Sequence, residues 1–439
     1  MELSTYKDIM EYLRVAIIGT VYEGKVFAVG GCERDKRLGN EIKDIDIVVS
    51  IPNGGIRFAQ FLHEQGLTVW SPVVYEHFGT AMFCLKKFPD VEIEAVQTRK
   101  ECYRDIDSRN PETAYGTIMD DCTRRDFTVN AFYYNISEDK ELDLNGNSEK
   151  DLRDKLIRTC GDPEIIFSED PLRVLRMVRF ASHLGFEYDE KTFQCARKYV
   201  DRLSIISIER IHDELQKMFS TGRVSITSNA IEGLWDIGAF KYALPHLDTM
   251  RMKKRNEILN RLNLFSHRDA SFEEVLALLL YDCPDIEDEL RSLKCSNDEV
   301  NAVVFLVREA KKLEDVMDEN GDPKMEVIRR VMNECGEKRK FLIATLIGYG
   351  TYDIFHVEYL GMSFFDELNI LDDEYYTYQL PVDGTDVMSV FKIGPSKQVG
   401  DIINRLWAFA FVNKNEKDRQ HLMDYLKYLY VEKHIEDEL

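Results

Sequence analysis

The sequence predicts an α+β protein: a sheet-containing N-terminal region of roughly 140 residues, then a long all-helical array. Three observations predict it. Short β-branched and aromatic runs recur as far as "FTVNAFYYN". Beyond about residue 165 the apolar residues switch to three- and four-residue spacing. At 439 residues with 44% hydrophobic content, the chain is too long for one ordinary domain and has material for several cores.

In chain order, "KVFAVGG" reads as a strand ending on Gly30 and Gly31, and the charged segment after it reads as a short helix. "IDIVVS" is a second strand, and "GIRFAQFLHEQG" has the periodicity of a helix. "TAMFCL", "VEIEAV" and "FTVNAFYYN" are further strands. "DLNGNSEKDLRDK" is a turn cluster opening a charged helix. "DPLRVLRMVRFASHLGF", "IERIHDELQKMF", "FEEVLALLLYD" and "DIINRLWAFAFV" are amphipathic helices, punctuated by turn signals such as "ENGDPK" and "LPVDG".

The formal charge of −22 argues against indiscriminate nucleic-acid binding but leaves room for a local basic groove. Nine scattered cysteines without a C-x-x-C signal neither a disulfide frame nor a zinc site. The first residues lack a cationic-then-apolar leader, and no run reaches the ~18 apolar residues of a membrane span. The expected location is the cytoplasm, away from membranes. The closing "IEDEL" carries no address without such a leader.

In "GGCERDKRLGNEIKDIDIVV", Gly30 and Gly31 can bring backbone N–H groups close to phosphate oxygens at a helix N-terminus. Arg34 follows within one turn. Asp44 and Asp46 share one face of the next strand, where two like charges cost stability. An ordinary turn and a solvated strand edge would explain each feature singly; their coupling points to a site. Paired carboxylates suit divalent cations, and two such ions can activate an attacking oxygen and stabilise a leaving pyrophosphate. A third acid is expected from "VEIEAV", Glu94 rather than Glu92, with a solvated face as the other reading.

This segment, from Gly30 to Asp46, resembles the nucleotidyltransferase signature of class II tRNA CCA-adding enzymes and their bacterial poly(A) polymerase relatives. Four further blocks follow in the family's order: "RRDFTVNAF" (124–132), "DLNGNSEKDL" (143–152), "FSEDPLRVLRMVRFASHLGF" (167–186) and "SIERIHDEL" (207–215). The connector "RNPETAYGTIMDDCT" is similar too. The chain departs at Glu33, an acid that could partly neutralise Arg34, and in an N-G-N hinge where a glycine pair is commoner.

The resemblance implies a polymerase-β-like nucleotidyltransferase head at 1–137, a base-recognising helical neck at 138–222, a helical body at 223–345 and a tRNA-binding tail at 346–439. It implies Asp44, Asp46 and Glu94 as the catalytic set, two Mg²⁺ ions on the two aspartates, and CTP and ATP as substrates. Gly31, Arg34, Arg125, Arg176 and Arg179 would hold the triphosphate, and Asp126 the ribose hydroxyls. The partner would be the tRNA 3′ end, gripped at acceptor stem and elbow.

Asp170, Arg173, Arg176 and Arg179 recur at steps of three. By themselves they read as an N-cap before Pro171 and a solvated basic face. Within the resemblance Asp170 and Arg173 read the base. Cytosine and adenine both present an amino donor beside a ring-nitrogen acceptor, which a carboxylate and a guanidinium complement; guanine and uracil oppose both.

In the second half, Tyr281 in "LALLLYDC" stands where some relatives carry the histidine of a phosphohydrolase His-Asp pair, and His267 and Asp269 nearby lack companion ligands. No phosphohydrolase activity is expected. "LPVDGTDVMSVFKIGPSKQVGDIINRLW" resembles the family tail, with Gly384, Asp386, Gly394 and Pro395 in place. Lys253, Lys254 and Arg255 lie in the clearest basic cluster, an RNA contact or a solvated helix face. Alternatives are a poly(A) polymerase, a CC-only or A-only adding enzyme, and a non-catalytic RNA-binding protein. The region "VVYEHFGTAMF" lacks the basic segment of the poly(A) branch.

Overall fold

The computed structural model of the protein describes residues 1–76, 79–102, 112–220, 224–264, 270–312, 325–335, 378–412 and 418–436. The turn "ENGDPK", His267 and Asp269, and the start of the connector at 109–111 lie outside them. The chain forms two compact units, Met1–Met218 with Asn229–Asp248, and Phe219–Ser228 with Thr249–Leu439.

The first unit opens with helix α1 (Leu3–Ile17), strand β1 (Val26–Val29), α2 (Gly31–Leu38), β2 (Ile45–Val49) and α3 (Gly54–Glu64). Strands β3 (Val73–Tyr75), β4 (Thr80–Leu85) and β5 (Phe88–Gln97) follow, then a two-stranded ribbon of β6 (Arg99–Cys102) and β7 (Glu112–Tyr115). After α4 (Ile118–Thr123), β8 (Tyr133–Asn135) and β9 (Lys140–Leu142) complete a seven-stranded sheet in the order β3-β4-β5-β2-β1-β8-β9. Only β2 and β5 run parallel, so the sheet is mixed.

Strand alternation divides this sheet chemically. Ile45, Ile47 and Val49 of β2 join Ile93 and Ala95 of β5 on one face, where α1 and α3 supply Tyr6, Ile9, Leu13, Phe58 and Leu62 to a large apolar core. The α3 backbone approaches closely because Gly55 has no side chain; a Cβ there would sit 2.3 Å from the Ala95 carbonyl oxygen. On the opposite face Phe27, Val29, Val48, Cys122, Ala131 and Tyr133 form a smaller cluster. Beside this smaller cluster lie the functional candidates.

The remainder of the unit includes α5 (Ser148–Arg153), β10 (Leu156–Ile157), α6 (Pro163–Glu169), α7 (Arg173–Leu184), β11 (Glu187–Tyr188), α8 (Glu190–Tyr199) and α9 (Ile208–Phe219), and, within Asn229–Asp248, the short helices Phe240–Ala243 and Pro245–Asp248. Two sequence expectations change here. Of "FTVNAFYYN", only Tyr133–Asn135 is strand, and Thr128–Asn130 is a 3₁₀ turn. Thr128 is drawn out of the sheet: its N–H donates to the Arg158 carbonyl at 2.9 Å and its hydroxyl to Asp151 at 2.8 Å. Asp170 is not the N-cap of a helix starting at Pro171. It ends α6 in an extended conformation and accepts from the Leu172 N–H at 3.2 Å, so it caps the tight turn through Pro171 and Leu172, and the regular helix α7 begins only at Arg173.

The second unit is helical among its described residues, including Met252–Leu264, Phe272–Leu279, Asn297–Lys311, Met325–Cys335, Gly384–Phe391, Lys397–Val412 and Arg419–Glu436. Reciprocal capping boxes start three of these, at Ser271/Glu274, Ser296/Glu299 and Asp383/Asp386. Asp386 also takes a two-pronged ion pair from Arg419 at 2.6 and 2.9 Å, which fixes the last helix to this cap. No helix among the described residues is long and apolar enough to cross a membrane.

Candidate active site

The β1–α2 turn is built on Gly30, whose φ of 80° lies in the left-handed region that other residues avoid. A side chain there would also close on Asp46, 3.3 Å from its Oδ2, and on the Arg125 guanidinium at 3.5 Å. At Gly31 the nearest atom to a Cβ would be Arg34 Nη2 at 3.7 Å. Glycine therefore keeps the backbone at the head of α2 open beside an aspartate and an arginine.

Asp46 lies on the face opposite the large core and pairs in register with Glu94 of the parallel strand β5. Asp44 immediately precedes β2 and is exposed on the same side by alternation. The sheet thus brings together Asp44, Asp46 and Glu94, and Glu94, not Glu92, stands level with Asp46. Both carboxyls are held above their ordinary range. For Asp46 the cause is loss of water, partly offset by Arg125 and reinforced by Asp44; for Glu94 it is loss of water and then Asp46. The three acids offer hard oxygen ligands and repel one another, which is the donor set a divalent cation fits.

Arg125 donates to Tyr133 Oη at 2.9 Å and to Asp121 at 3.3 Å. Asp121 is fully buried, and although burial works against its charge, Arg125 and Arg124 hold its carboxyl below the ordinary range. Arg34 lies flat on Asp35 with two bonds of 2.9 Å and reaches Asn130 Oδ1 at 2.6 Å. Glu33 does not neutralise it. That side chain is fully buried and accepts from Tyr6 Oη, Arg37 at 2.7 Å and Lys36 at 2.9 Å.

Asp126 accepts from the Arg176 guanidinium at 2.6 and 3.0 Å and from Asn130 Nδ2 at 3.3 Å. Burial opposes its ionisation, but Arg176 outweighs it and brings the carboxyl down to about 2. Arg176 and Arg179 share Glu214 of α9, at 3.5 and 2.7 Å. A continuous chain of hydrogen bonds and ion pairs therefore runs from Arg34 through Asn130, Asp126, Arg176 and Glu214 to Arg179.

Asp170 and Arg173 are neighbours without bonding each other's side chains: Asp170 accepts from Arg210 at 2.9 Å, and Arg173 donates to the Ile166 carbonyl and to Glu169 at 3.1 and 3.2 Å. In the second unit, Lys254 is taken up by Asp282 at 2.5 Å and Glu257 at 3.4 Å, whereas Lys253 is exposed. Asp121, Asn130, Tyr133 and Glu214 were missed from sequence. Asp121 carried a signal, since it precedes Arg124 and Arg125 by three and four residues on one helical turn.

A glycine turn at a helix start, a row of carboxylates on and beside two neighbouring strands of a mixed sheet, and arginines from the flanking helices and loop define a nucleotidyltransferase. Residues 26–158 match the family described as the poly A polymerase head domain, and residues 185–250 the probable RNA and SrmB-binding site of polymerase A. The chain is 30% identical to the CCA-adding enzyme of Lactococcus lactis over 87% of each chain. It belongs to the CCA-adding enzyme family. The fold also matches the Bacillus stearothermophilus CCA-adding enzyme solved in complex with CTP, at 19% identity, TM-score 0.64 and full coverage of both chains. The Thermotoga maritima CCA-adding enzyme complexed with tRNA matches at 18% identity and TM-score 0.65, over 95% of each chain.

Proposed function

We propose that the protein adds or repairs the 3′-terminal CCA of tRNA without a template, taking CTP and ATP as substrates. The observation that carries this reading is the row of Asp46 and Glu94 in register, with Asp44 beside them and the open Gly30–Gly31 turn next to it. The family's tRNA-directed members, one of them solved with CTP and one with tRNA, support the choice of substrates.

Asp44 and Asp46, with Glu94 as third ligand, would hold two Mg²⁺ ions, which when bound lower the pKa of the RNA 3′-hydroxyl and stabilise pyrophosphate. The chain's own residues do the rest. The Gly31 turn, Arg34, Arg125, Arg176 and Arg179 orient the triphosphate so that the 3′-oxygen meets the α-phosphorus in line. The new P–O bond forms as the α–β bridge breaks, pyrophosphate leaves and the hydroxyl proton passes to water. Asp126 takes the ribose hydroxyls, and Asp170 with Arg173 selects C and A. Residues 1–137 serve as catalytic head, 138–222 as neck, 223–345 as body and 346–439 as tail toward tRNA, with Lys253 exposed in the basic cluster and Lys254 and Arg255 partly buried.

The test offers tRNA ending at the discriminator base, after C, or after CC, with each NTP singly. Addition of C, C and then A is expected. The head-domain match named for poly A polymerase keeps one rival in view; long A tails on unrelated RNA would establish it.

A further inference from the structure

Phe180 was assigned no role in the sequence, yet three guanidiniums converge on its ring. Arg34 of α2, Arg176 and Arg179 lie 5.6, 5.2 and 4.3 Å from its centroid. These are distances at which the negative face of an aromatic ring attracts a cation. Phe127, fully buried, meets the same ring edge-on at 5.9 Å and 71°, which sets its orientation. Phe180 itself is only partly buried, so filling a core does not account for it.

Three like charges around one point repel. Asp35, Asp126 and Glu214 each neutralise part of that charge, but a carboxylate also occupies the donors it binds. An aromatic face holds a guanidinium without consuming its N–H groups. Arg179 illustrates the difference. Its Nε donates to Glu214, while its two terminal nitrogens make no hydrogen bond among the described residues. Burial lowers its affinity for a proton, with Glu214 only partly compensating, so its charge is left in want of an anion.

We propose that Phe180 is a positioning residue that gathers Arg34, Arg176 and Arg179 into a single receptor for the polyphosphate of the incoming nucleotide. The proposal rests on the phosphate-binding reading of these arginines. It adds the element that joins head and neck arginines within the first unit. In this positioning role the ring acts through the guanidiniums alone, so its loss weakens polyphosphate capture and spares base choice.

The test compares wild type, Phe180→Leu and Phe180→Tyr in binding of inorganic tripolyphosphate, in KM for CTP and in kcat. The leucine variant is expected to weaken tripolyphosphate binding and raise KM about tenfold each, with kcat within about twofold and tyrosine near wild type. Phe180→Met, similar in bulk and ringless, makes the same comparison if leucine prevents folding. Wild-type tripolyphosphate affinity in a folded ringless variant overturns the proposal. So does an equal loss of affinity for cytidine, which carries no phosphate. Tripolyphosphate binding needs neither RNA nor transfer, so failure to build CCA would count against the proposed function and leave this result readable.

Discussion

Asp46 and Glu94 stand side by side on neighbouring parallel strands, in one register row and on the same face of the sheet. Like charges so placed destabilise a fold by about 0.2–1 kcal/mol. Both carboxyls hold their protons above the ordinary range, so their ionisation opposes folding at neutral pH and ceases to do so once acid protonates them. Asp46→Asn and Glu94→Gln should therefore raise stability by about 0.5 kcal/mol without divalent ions. Mg²⁺ should raise the melting temperature of wild type and not of Asp46→Asn. An equal Mg²⁺ shift in the variant counts against a metal at Asp46.

The same raised carboxyls set a pH dependence for transfer. Protonation at either site removes a ligand, so kcat/KM should fall on the acid side at a pH above the ordinary carboxylate range. Raising Mg²⁺ should move that limb to lower pH, because a cation competes with the proton. A limb that ignores Mg²⁺ would separate these groups from metal binding.

For Asp126 the sign reverses. Its carboxyl lies at about 2 in the fold, below the ordinary value near 3.9. Its contribution is fully present above that ordinary value and is lost as pH falls toward about 2. Asp126→Asn should lose about 2 kcal/mol by urea unfolding at pH 7. The difference should narrow steadily below pH 4, and a pH-independent difference would assign the loss to packing instead.

Glu33 ties α1 to α2 through Tyr6, Lys36 and Arg37 while fully buried. Removing one member of such a cluster strands the others, at about 3 kcal/mol. Glu33→Ala should lose that much stability in urea unfolding. Glu33→Gln, which can still accept from Tyr6, should lose less.

Base choice should reside on the α6–α7 junction. Arg173→Ala should reduce the preference for CTP over UTP by about 100-fold or more, since a site built on hydrogen bonds owes its selectivity to them. Competition between the two nucleotides measures it, and an unchanged ratio would move base choice elsewhere.

Residue alternation made one half of this site legible. Asp44 and Asp46 follow from a period of two within "KDIDIVVS", and the glycine turn follows from the strand before it. That Glu94 completes the row could be guessed from "VEIEAV" but not located, because the β2–β5 pairing joins segments separated by a helix and two strands. The arginine column was legible as spacing, not as structure. Asp170 sits on a turn because it closes α6, and the carboxylates opposite Arg176 and Arg179 come from "RRDFT" and from α9. Phe180 escaped, and Glu33 was matched to Arg34 in place of Tyr6, Lys36 and Arg37, for the same reason: an aromatic or acid on a helix shows its phase, whereas its neighbours are fixed by packing.

The carboxylate row is best tested by Asp44→Ala, assayed for transfer from CTP to tRNA ending at the discriminator base, with CTP binding measured in the same preparation. Transfer should fall at least about 1,000-fold, with CTP still bound through the arginines. Wild-type transfer by the folded variant would contradict the assignment of the chemistry to these acids.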